Sequence, residues 1–397
     1  MILTKKQMEG LKIAVARYKS HKPYTCIAGY AGTGKSTLIK FIVAALDLEP
    51  SEVVYVAYTG KAAQVLKQKG CESAITAHKL LYFAEPLPNG KYRFKKKPTL
   101  DESPKLIVVD EISMLPKPMW DLLLTHKIPV IACGDPAQLP PISKNDDNGV
   151  LDKPHIFLDE IMRQAQDSEI IRLSMHIREG KPISSFNFTN QEVQCFSKSQ
   201  LTTGMYLWAD QILCATNNTR FSINDTYRKI MGRGEEPEIG DKIIGLKNQW
   251  EHYSWDPYGN IAPLTNGTIG TISDFRKEEL RPSFRVPKSV PYLYTNMTTE
   301  DGYDFINTPV DYLSLTTGQK AFTGEEEYKI MTDKRRMLDA PFEFSYAYAI
   351  TVWKAQGSEW KKVLLFEENF PFDKEEHKKY LYTGITRASE KLVLITK

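Results

Sequence analysis

Four side chains in this sequence have the types and spacing that phosphoryl chemistry needs. Gly29-Tyr30-Ala31-Gly32-Thr33-Gly34-Lys35-Ser36 fits the phosphate-loop pattern G-x-x-x-x-G-K-[ST] at every fixed position. Its glycines let successive backbone N–H groups turn inward around an anion, Lys35 brings a point charge, and Ser36 offers a hydroxyl to Mg²⁺. Further on, the apolar run Leu106-Ile107-Val108-Val109 ends in Asp110-Glu111. Asp110 suits the shell of a Mg²⁺ ion, and Glu111 suits the orientation and deprotonation of an attacking water. An ordinary glycine turn and a pair of helix-capping acids are the bland alternatives. Finding the lysine loop and the acid pair in one chain, each behind a buried strand, argues against both.

The elements that must hold these groups are legible around them. Thr25, Cys26, Ile27 and Ala28 form a short apolar strand, and Leu38, Ile39, Ile42, Val43 and Leu46 recur at helical spacing after the loop. Upstream, Thr4 caps a helix with Met8, Leu11, Ile13, Ala14 and Val15 as its expected inner stripe. Gln7 lies at its start, where its amide could read an adenine edge or simply face water. Val53 to Tyr58 reads as a second strand, followed by Thr59-Gly60-Lys61 at a sheet end where α/β proteins bind ligands, or as a plain helix cap. Thr76 and His78 stand at another helix start; a lone histidine is usually structural. Between Tyr82 and Pro104, an Asn89-Gly90 turn signals a hairpin carrying Tyr92, Phe94 and five cations from Lys91 to Lys97. It reads either as a solvated loop or as a wedge that meets nucleic acid by charge and stacking.

Composition sets the outer bounds. The 397 residues suffice for several domains, and 52 Lys+Arg against 49 Asp+Glu leave a net charge of only +3, so any basic track is local. The five cysteines, Cys26, Cys71, Cys133, Cys195 and Cys214, lack C-x-x-C spacing and read as small core residues in a reducing compartment. The N-terminus turns polar too early for a signal peptide, and no apolar run approaches ~18 residues. A soluble, cytoplasmic protein is expected, with no membrane contact.

Beyond Cys133 comes Gly134-Asp135-Pro136-Ala137-Gln138-Leu139-Pro140-Pro141, which resembles motif III of superfamily 1 helicases. Other motifs then fall in the order of the RecD-like and Dda-like (superfamily 1B) branch. Tyr58 to Ala63 resembles motif Ia, Thr76-Ala77-His78 the Thr-x-His motif, and Leu158 to Gln164 motif IV. Ala215 to Arg220 resembles the start of a second motor lobe, Tyr348 to Glu359 motif V, and Tyr382 to Ala388 motif VI. One departure is Trp353, where the family usually has histidine; an indole packs, stacks or donates one hydrogen bond, but cannot accept or titrate.

The resemblance implies an α/β fold of two RecA-like P-loop lobes, with a β-hairpin pin in the first and an SH3-like β insertion in the second. The expected bounds are 1–81 with 105–180 for the first lobe, 82–104 for the pin, 181–249 with 342–397 for the second lobe, and 250–341 for the insertion. That insertion is rich in Tyr, Pro and Gly and includes an Asn266-Gly267 turn. The resemblance makes Lys35, Glu111, Gln138, Arg163 and Arg387 the catalytic set, both arginines approaching the γ-phosphate. Gln7, Gly32, Thr33, Gly34, Lys35, Ser36, Thr37, Gln164, Gly357 and Glu359 would bind ATP, and Ser36 and Asp110 the Mg²⁺. DNA would touch Thr59, Gly60, Lys61, Thr76, His78, Tyr92, Phe94, Asn217, Thr351, Trp353, Lys354 and Gln356. The activity implied is 5′-to-3′ translocation on single-stranded DNA and unwinding at single-strand/duplex junctions, by a monomer serving replication or recombination. Single-strand binding or replisome proteins would be its protein partners. Two rivals stay open: an RNA-directed helicase of the same superfamily, and an ATP-switched loading factor without processive motion.

Overall fold

The computed structural model describes residues 3–86, 92–100, 104–140, 146–162, 167–255, 261–300, 302–335, 337–338, 340–368 and 373–396. The chain divides into two compact units. Unit 1 holds residues up to Tyr82, Lys96–Ala215 and Thr351–Lys397; unit 2 holds Phe83–Lys95 and Thr216–Ile350.

In chain order the first strands are β1 (Tyr24–Gly29), β2 (Val53–Ala57), β3 (Ile75–Thr76), β4 (Tyr82–Pro86), β5 (Tyr92–Lys96), β6 (Leu106–Val109), β7 (Val130–Gly134) and β8 (Ile156–Leu158). Six of them form a sheet of order β3-β2-β6-β7-β1-β8, and every pairing in it is parallel. Parallel strands covered on both faces read as unbroken apolar runs, as β6 does. Alternate residues nonetheless serve different faces. Leu106 and Val108 join Ile27, Ile131, Leu38, Ile39 and Ile42 on one side, while Ile107 and Val109 join Val54, Val56, Trp120 and Leu123 on the other. Each such side chain, fully buried, contributes about 1.5–3 kcal/mol.

The helix Lys5–Lys19 corrects one expectation. Gln7, Gly10 and Ala14 face inward, whereas Met8 is 44% exposed. The stripe is offset because Gly10 permits a close approach: a Cβ there would stand 2.8 Å from Ile156 Cγ2. Burying Gln7 is tolerated because Thr4 and Gln7 form a reciprocal cap, Gln7 N–H donating to Thr4 Oγ1 at 3.2 Å and Thr4 N–H to Gln7 Oε1 at 3.0 Å.

Strands β4 and β5 pair as a two-stranded sheet, and the Asn89-Gly90 turn between them lies outside the described residues. The cationic run after it is not uniformly solvated. Lys97 is buried, and its Nζ donates to Lys79 O at 3.0 Å. Cys26, Cys133 and Cys214 are buried in strands as expected, but Cys71 lies outside any strand and is half-buried; all five thiols are free.

Two strands, β9 (Val193–Ser197) and β10 (Gln211–Cys214), precede unit 2. Unit 2 contains β11 (Lys242–Gly245), β12 (Gln249–Trp255), β13 (Ile261–Leu264), β14 (Ile269–Leu280), β15 (Val290–Thr299), β16 (Asp304–Asp311) and β17 (Phe344–Tyr346). Five of these form an antiparallel sheet of order β16-β15-β14-β11-β17, and β12 pairs with β13. The Asn266-Gly267 turn, with Gly267 at φ 92°, does not join a hairpin. It passes the chain from the smaller sheet to the larger.

A buried ionic knot stands at the base of that larger sheet. Asp241 accepts from Arg228 Nε and Nη2, each at 3.2 Å, from Arg233, from the Tyr348 hydroxyl at 2.7 Å and from Glu238 N–H at 2.7 Å. Asp241→Ala is expected to cost about 3–5 kcal/mol in a denaturant titration, because it strands buried guanidinium charge. A cost below about 1 kcal/mol would mean that the arginines find water when released.

The chain returns to unit 1 at the end of β18 (Ala349–Thr351) and adds β19 (Trp360–Phe366) and β20 (Ala388–Thr396). Strands β10, β19, β20 and β9 pair in parallel in that order, giving unit 1 a second parallel sheet.

Candidate nucleotide site

The phosphate loop leaves β1 at Gly29, and Gly32 and Gly34 take φ values of 75° and 77°, the left-handed region that favours glycine. A Cβ on Gly34 would stand 2.5 Å from Gln7 Nε2. The Lys35–Ala45 helix follows directly, presenting its N-terminal dipole to the loop. Lys35 Nζ donates to Gly29 O at 2.8 Å and Tyr30 O at 3.0 Å. Thr33 turns inward, its Oγ1 donating to Tyr30 O at 2.8 Å, while Ser36 is exposed at the helix start beside the half-buried Thr37. Gln7 Nε2 donates to Thr33 O at 3.1 Å, so its amide braces the loop from behind.

At the end of β6, Asp110 N–H donates to Val56 O at 2.9 Å and Glu111 N–H to Asp110 Oδ1 at 3.0 Å. Glu111 has φ 49°, a left-handed conformation in a residue with a side chain, and local strain of this kind costs on the order of 1–3 kcal/mol. Burial and the neighbouring Glu111 charge push the Asp110 carboxyl up to about 6, against the opposing pull of Lys35.

A cavity of about 460 Å³ joins these groups to the second sheet. Ser36, Asp110 and Glu111 line it from the first sheet, and Gly357, Glu359 and Arg387 from the second. Arg387 is buried, with Nε donating to Thr383 O at 3.1 Å and Nη1 to Ser358 O at 3.2 Å. Gly357 has φ 77°, and a Cβ there would meet Ala62 Cβ at 2.8 Å, so glycine lets the two sheets' connections touch. No group of three His, Cys, Asp or Glu side chains forms a metal cage among the described residues. One carboxylate beside a hydroxyl and a phosphate cradle is nevertheless the donor set that Mg²⁺ takes when it shares its shell with phosphates.

Gln138 belongs to the turn after β7. It is buried, its N–H donates to Asp135 O at 3.2 Å, and its Oε1 lacks a hydrogen-bond partner. Gln356 is likewise buried, donating from Nε2 to Leu139 O at 2.9 Å and leaving Oε1 unpartnered. Of the expected motif IV residues, Arg163 and Gln164 lie outside the described residues. Met162, just before them, donates its N–H to Gly32 O at 2.9 Å.

The residues expected to touch nucleic acid are dispersed. Thr59 and Thr76 are helix caps, their hydroxyls accepting from Ala62 N–H and Lys79 N–H, each at 3.2 Å. Gly60 and Lys61 open the helix that Thr59 caps. His78 is half-buried with ring centroids 5.9 Å from Tyr58 and 6.0 Å from Tyr82, and burial lowers its pKa. Thr351 is buried at the end of β18, Trp353 and Lys354 are half-buried in the turn of helix after it, and Asn217 is exposed in unit 2. Tyr92 and Phe94 belong to β5, and their side chains lie outside what is described. Sequence reasoning assigned no role to Asp135, Tyr382 or Thr383, although all three stand inside motifs it recognised.

A phosphate loop between two parallel sheets, with acids from one and an arginine from the other on a shared cavity, defines a RecA-like P-loop nucleotide-triphosphate motor. Residues 3–196 match the family described as AAA domain, and residues 346–395 that described as UvrD-like helicase C-terminal domain. The chain is 27% identical to the ATP-dependent DNA helicase dda of Enterobacteria phage T4, over 97% of each chain. It is 26% identical to the ATP-dependent RecD2 DNA helicase of Deinococcus radiodurans and 31% identical to the ATP-dependent DNA helicase PIF1 of Candida albicans. These matches span 92% and 78% of this chain but only 46% and 41% of those proteins. The fold matches Bacteroides Pif1 bound to single-stranded DNA with a TM-score of 0.56 at 16% identity, covering 99% of this chain and 92% of that one. The proteins it is similar to are thus DNA helicases, in line with the resemblance to the Dda-like and RecD-like branch of superfamily 1B.

The Asp110 carboxyl gives a pH test of this site. Raised above its unfolded value, it stays protonated in the fold between about pH 4 and 6 while the unfolded chain is ionised. In chelator, its contribution to stability is therefore fully present below pH 4 and lost as pH rises through 6. Melting temperatures should fall across that window in the wild type relative to Asp110→Asn. Parallel curves would show that Asp110 is ionised throughout.

Proposed function

We propose that this protein is an ATP-dependent DNA helicase that moves 5′ to 3′ along single-stranded DNA and opens the duplex ahead of it. The observation that carries this is the shared cavity, where Ser36, Asp110 and Glu111 face Gly357, Glu359 and Arg387. Its named relatives are DNA helicases. Phosphate transfer needs negative charge neutralised as the γ-phosphate departs, and in this chain the neutralising cations come from both sheets. Lys35 and the loop N–H groups cradle the phosphates, Glu111 holds and deprotonates the attacking water, and Arg387, together with Arg163, covers the developing charge. Ser36 and Asp110 would hold Mg²⁺, which would supply charge neutralisation at the phosphate oxygens.

Because the catalytic set is divided between the sheets, ATP favours their approach and its products do not, so each turnover becomes a movement. Gln138, the residue before Leu139, and Gln356, which donates to Leu139 O, are both buried and are the residues proposed to relay that movement. Thr59, Gly60, Lys61, Thr76 and His78 on the first sheet and Thr351, Trp353, Lys354 and Gln356 on the second are the residues proposed to grip DNA. Asn217 is a further contact, and the β4–β5 hairpin with Tyr92 and Phe94 is the proposed wedge. The antiparallel sheet of unit 2, whose strands β14, β15 and β16 fall within 250–341, is the proposed SH3-like insertion.

Two matched duplexes, one with a 5′ and one with a 3′ single-stranded tail, test the reading. ATP-dependent opening of the 5′-tailed duplex alone is expected. Opening of the 3′-tailed duplex alone would reverse the assigned polarity, and opening of neither, with slow hydrolysis indifferent to DNA, would leave an ATP switch.

A further inference from the structure

The helix Lys374–Ile385 packs on the second sheet and carries Tyr382, which is only 1% exposed. Its hydroxyl occupies both of its hydrogen-bonding roles. It accepts from Ala31 N–H of the phosphate loop at 2.9 Å and donates to Asp135 Oδ2 at 2.6 Å. Asp135 is itself 1% exposed, and its other oxygen accepts from Ala137 N–H at 2.9 Å. The next residue of the helix, Thr383, is fully buried and its Oγ1 accepts from Leu139 N–H at 2.9 Å. The turn from Asp135 to Leu139 is thus held at its start by Tyr382 and at its end by Thr383 and Gln356.

We propose that Tyr382 is a positioning residue that locks the phosphate loop to the Asp135–Leu139 turn, so that a change at the loop reaches the second sheet through one hydroxyl. The proposal rests on the ATPase reading above and deepens it. Any buried tyrosine hydroxyl needs partners, but here the two partners belong to different segments, the phosphate loop and the turn after β7, so that one oxygen ties them together. A hydrogen bond in a dry setting is also stronger than the same bond in water. Removing the oxygen leaves Ala31 N–H and one Asp135 oxygen without this partner while the ring still fills its space. The cost should therefore fall on alignment in the reacting complex, where small misplacements lower turnover steeply.

The test is Tyr382→Phe, with steady-state ATP hydrolysis measured with and without single-stranded DNA and a melting curve taken in parallel. The expected result is a fall in kcat of about 10-fold or more, with KM for ATP within about 3-fold and a melting curve that stays cooperative while shifting to lower temperature, because a buried N–H and a carboxylate oxygen lose a partner. In a cycle with Asp135→Asn, the double variant should turn over no more slowly than Asp135→Asn alone, since both break one link. Wild-type kcat in Tyr382→Phe would reduce the hydroxyl to packing. A raised KM with kcat kept would make it a ground-state nucleotide contact, and multiplying losses in the double variant would exclude the route through Asp135; each overturns the proposal. Wild-type hydrolysis indifferent to DNA would instead fail the helicase reading, and Tyr382 would then be judged by the same criteria on basal turnover.

Discussion

Arg387→Ala is expected to slow ATP turnover by on the order of 10³-fold or more while leaving ATP binding nearly intact, as the loss of an arginine finger does. The reason lies in its placement. Arg387 belongs to the second sheet's connection, whereas Ser36 of the phosphate-loop motif and both acids belong to the first, yet all four border one cavity. The fork is aimed before any reaction, with Nε on Thr383 O, Nη1 on Ser358 O and Nη2 on Thr386 Oγ1. Lysine cannot reproduce that fan of donors, so Arg387→Lys should recover little. Single-turnover hydrolysis beside equilibrium binding of a fluorescent ATP analogue separates the two effects. Turnover within a few-fold of wild type would take Arg387 out of the catalytic set.

Glu111→Gln should lower the rate of hydrolysis by about 10²–10⁴-fold, the range for losing a positioned general base. The amide keeps the size of the side chain and one acceptor but cannot take the proton. Its left-handed backbone at φ 49° is the kind of local strain that clusters at active sites, and its side chain lines the shared cavity. Nucleotide should still bind, so the variant should accumulate unhydrolysed ATP in a filter-binding assay. Equal loss of binding and turnover would mean that Glu111 shapes the loop and does no proton transfer.

Much of this site is legible one motif at a time. A phosphate loop is local physics: Gly32 and Gly34 permit the backbone, and Lys35 and Ser36 follow within the same turn and helix, so spacing alone locates them. Asp110 and Glu111 are legible because β6 is an apolar strand that must end at the sheet's carboxyl edge. The threonines show the opposite case. Thr59 and Thr76 satisfy helix N-termini, a use that the sequence weighed for Thr59 and could not separate from ligand contact. Met8 misled because period alone does not set a helix's rotation, and Gly10, with no side chain to count, is what lies nearest the sheet. Lys97 departs from the solvated reading because a run of like charges does not show which ammonium finds a carbonyl.

From residue order alone came the phosphate loop, the acid pair, the apolar strands behind them and the resemblance to a helicase family, since each depends on neighbours in the chain. The tertiary structure decided that Arg387 and Glu359 reach the same cavity as Ser36 and Glu111, that Gln7 braces the loop, and that Tyr382 joins Ala31 to Asp135. These pairings link residues far apart in the chain. Which distant groups meet is set by how two sheets and their connections pack, and no local periodicity encodes that.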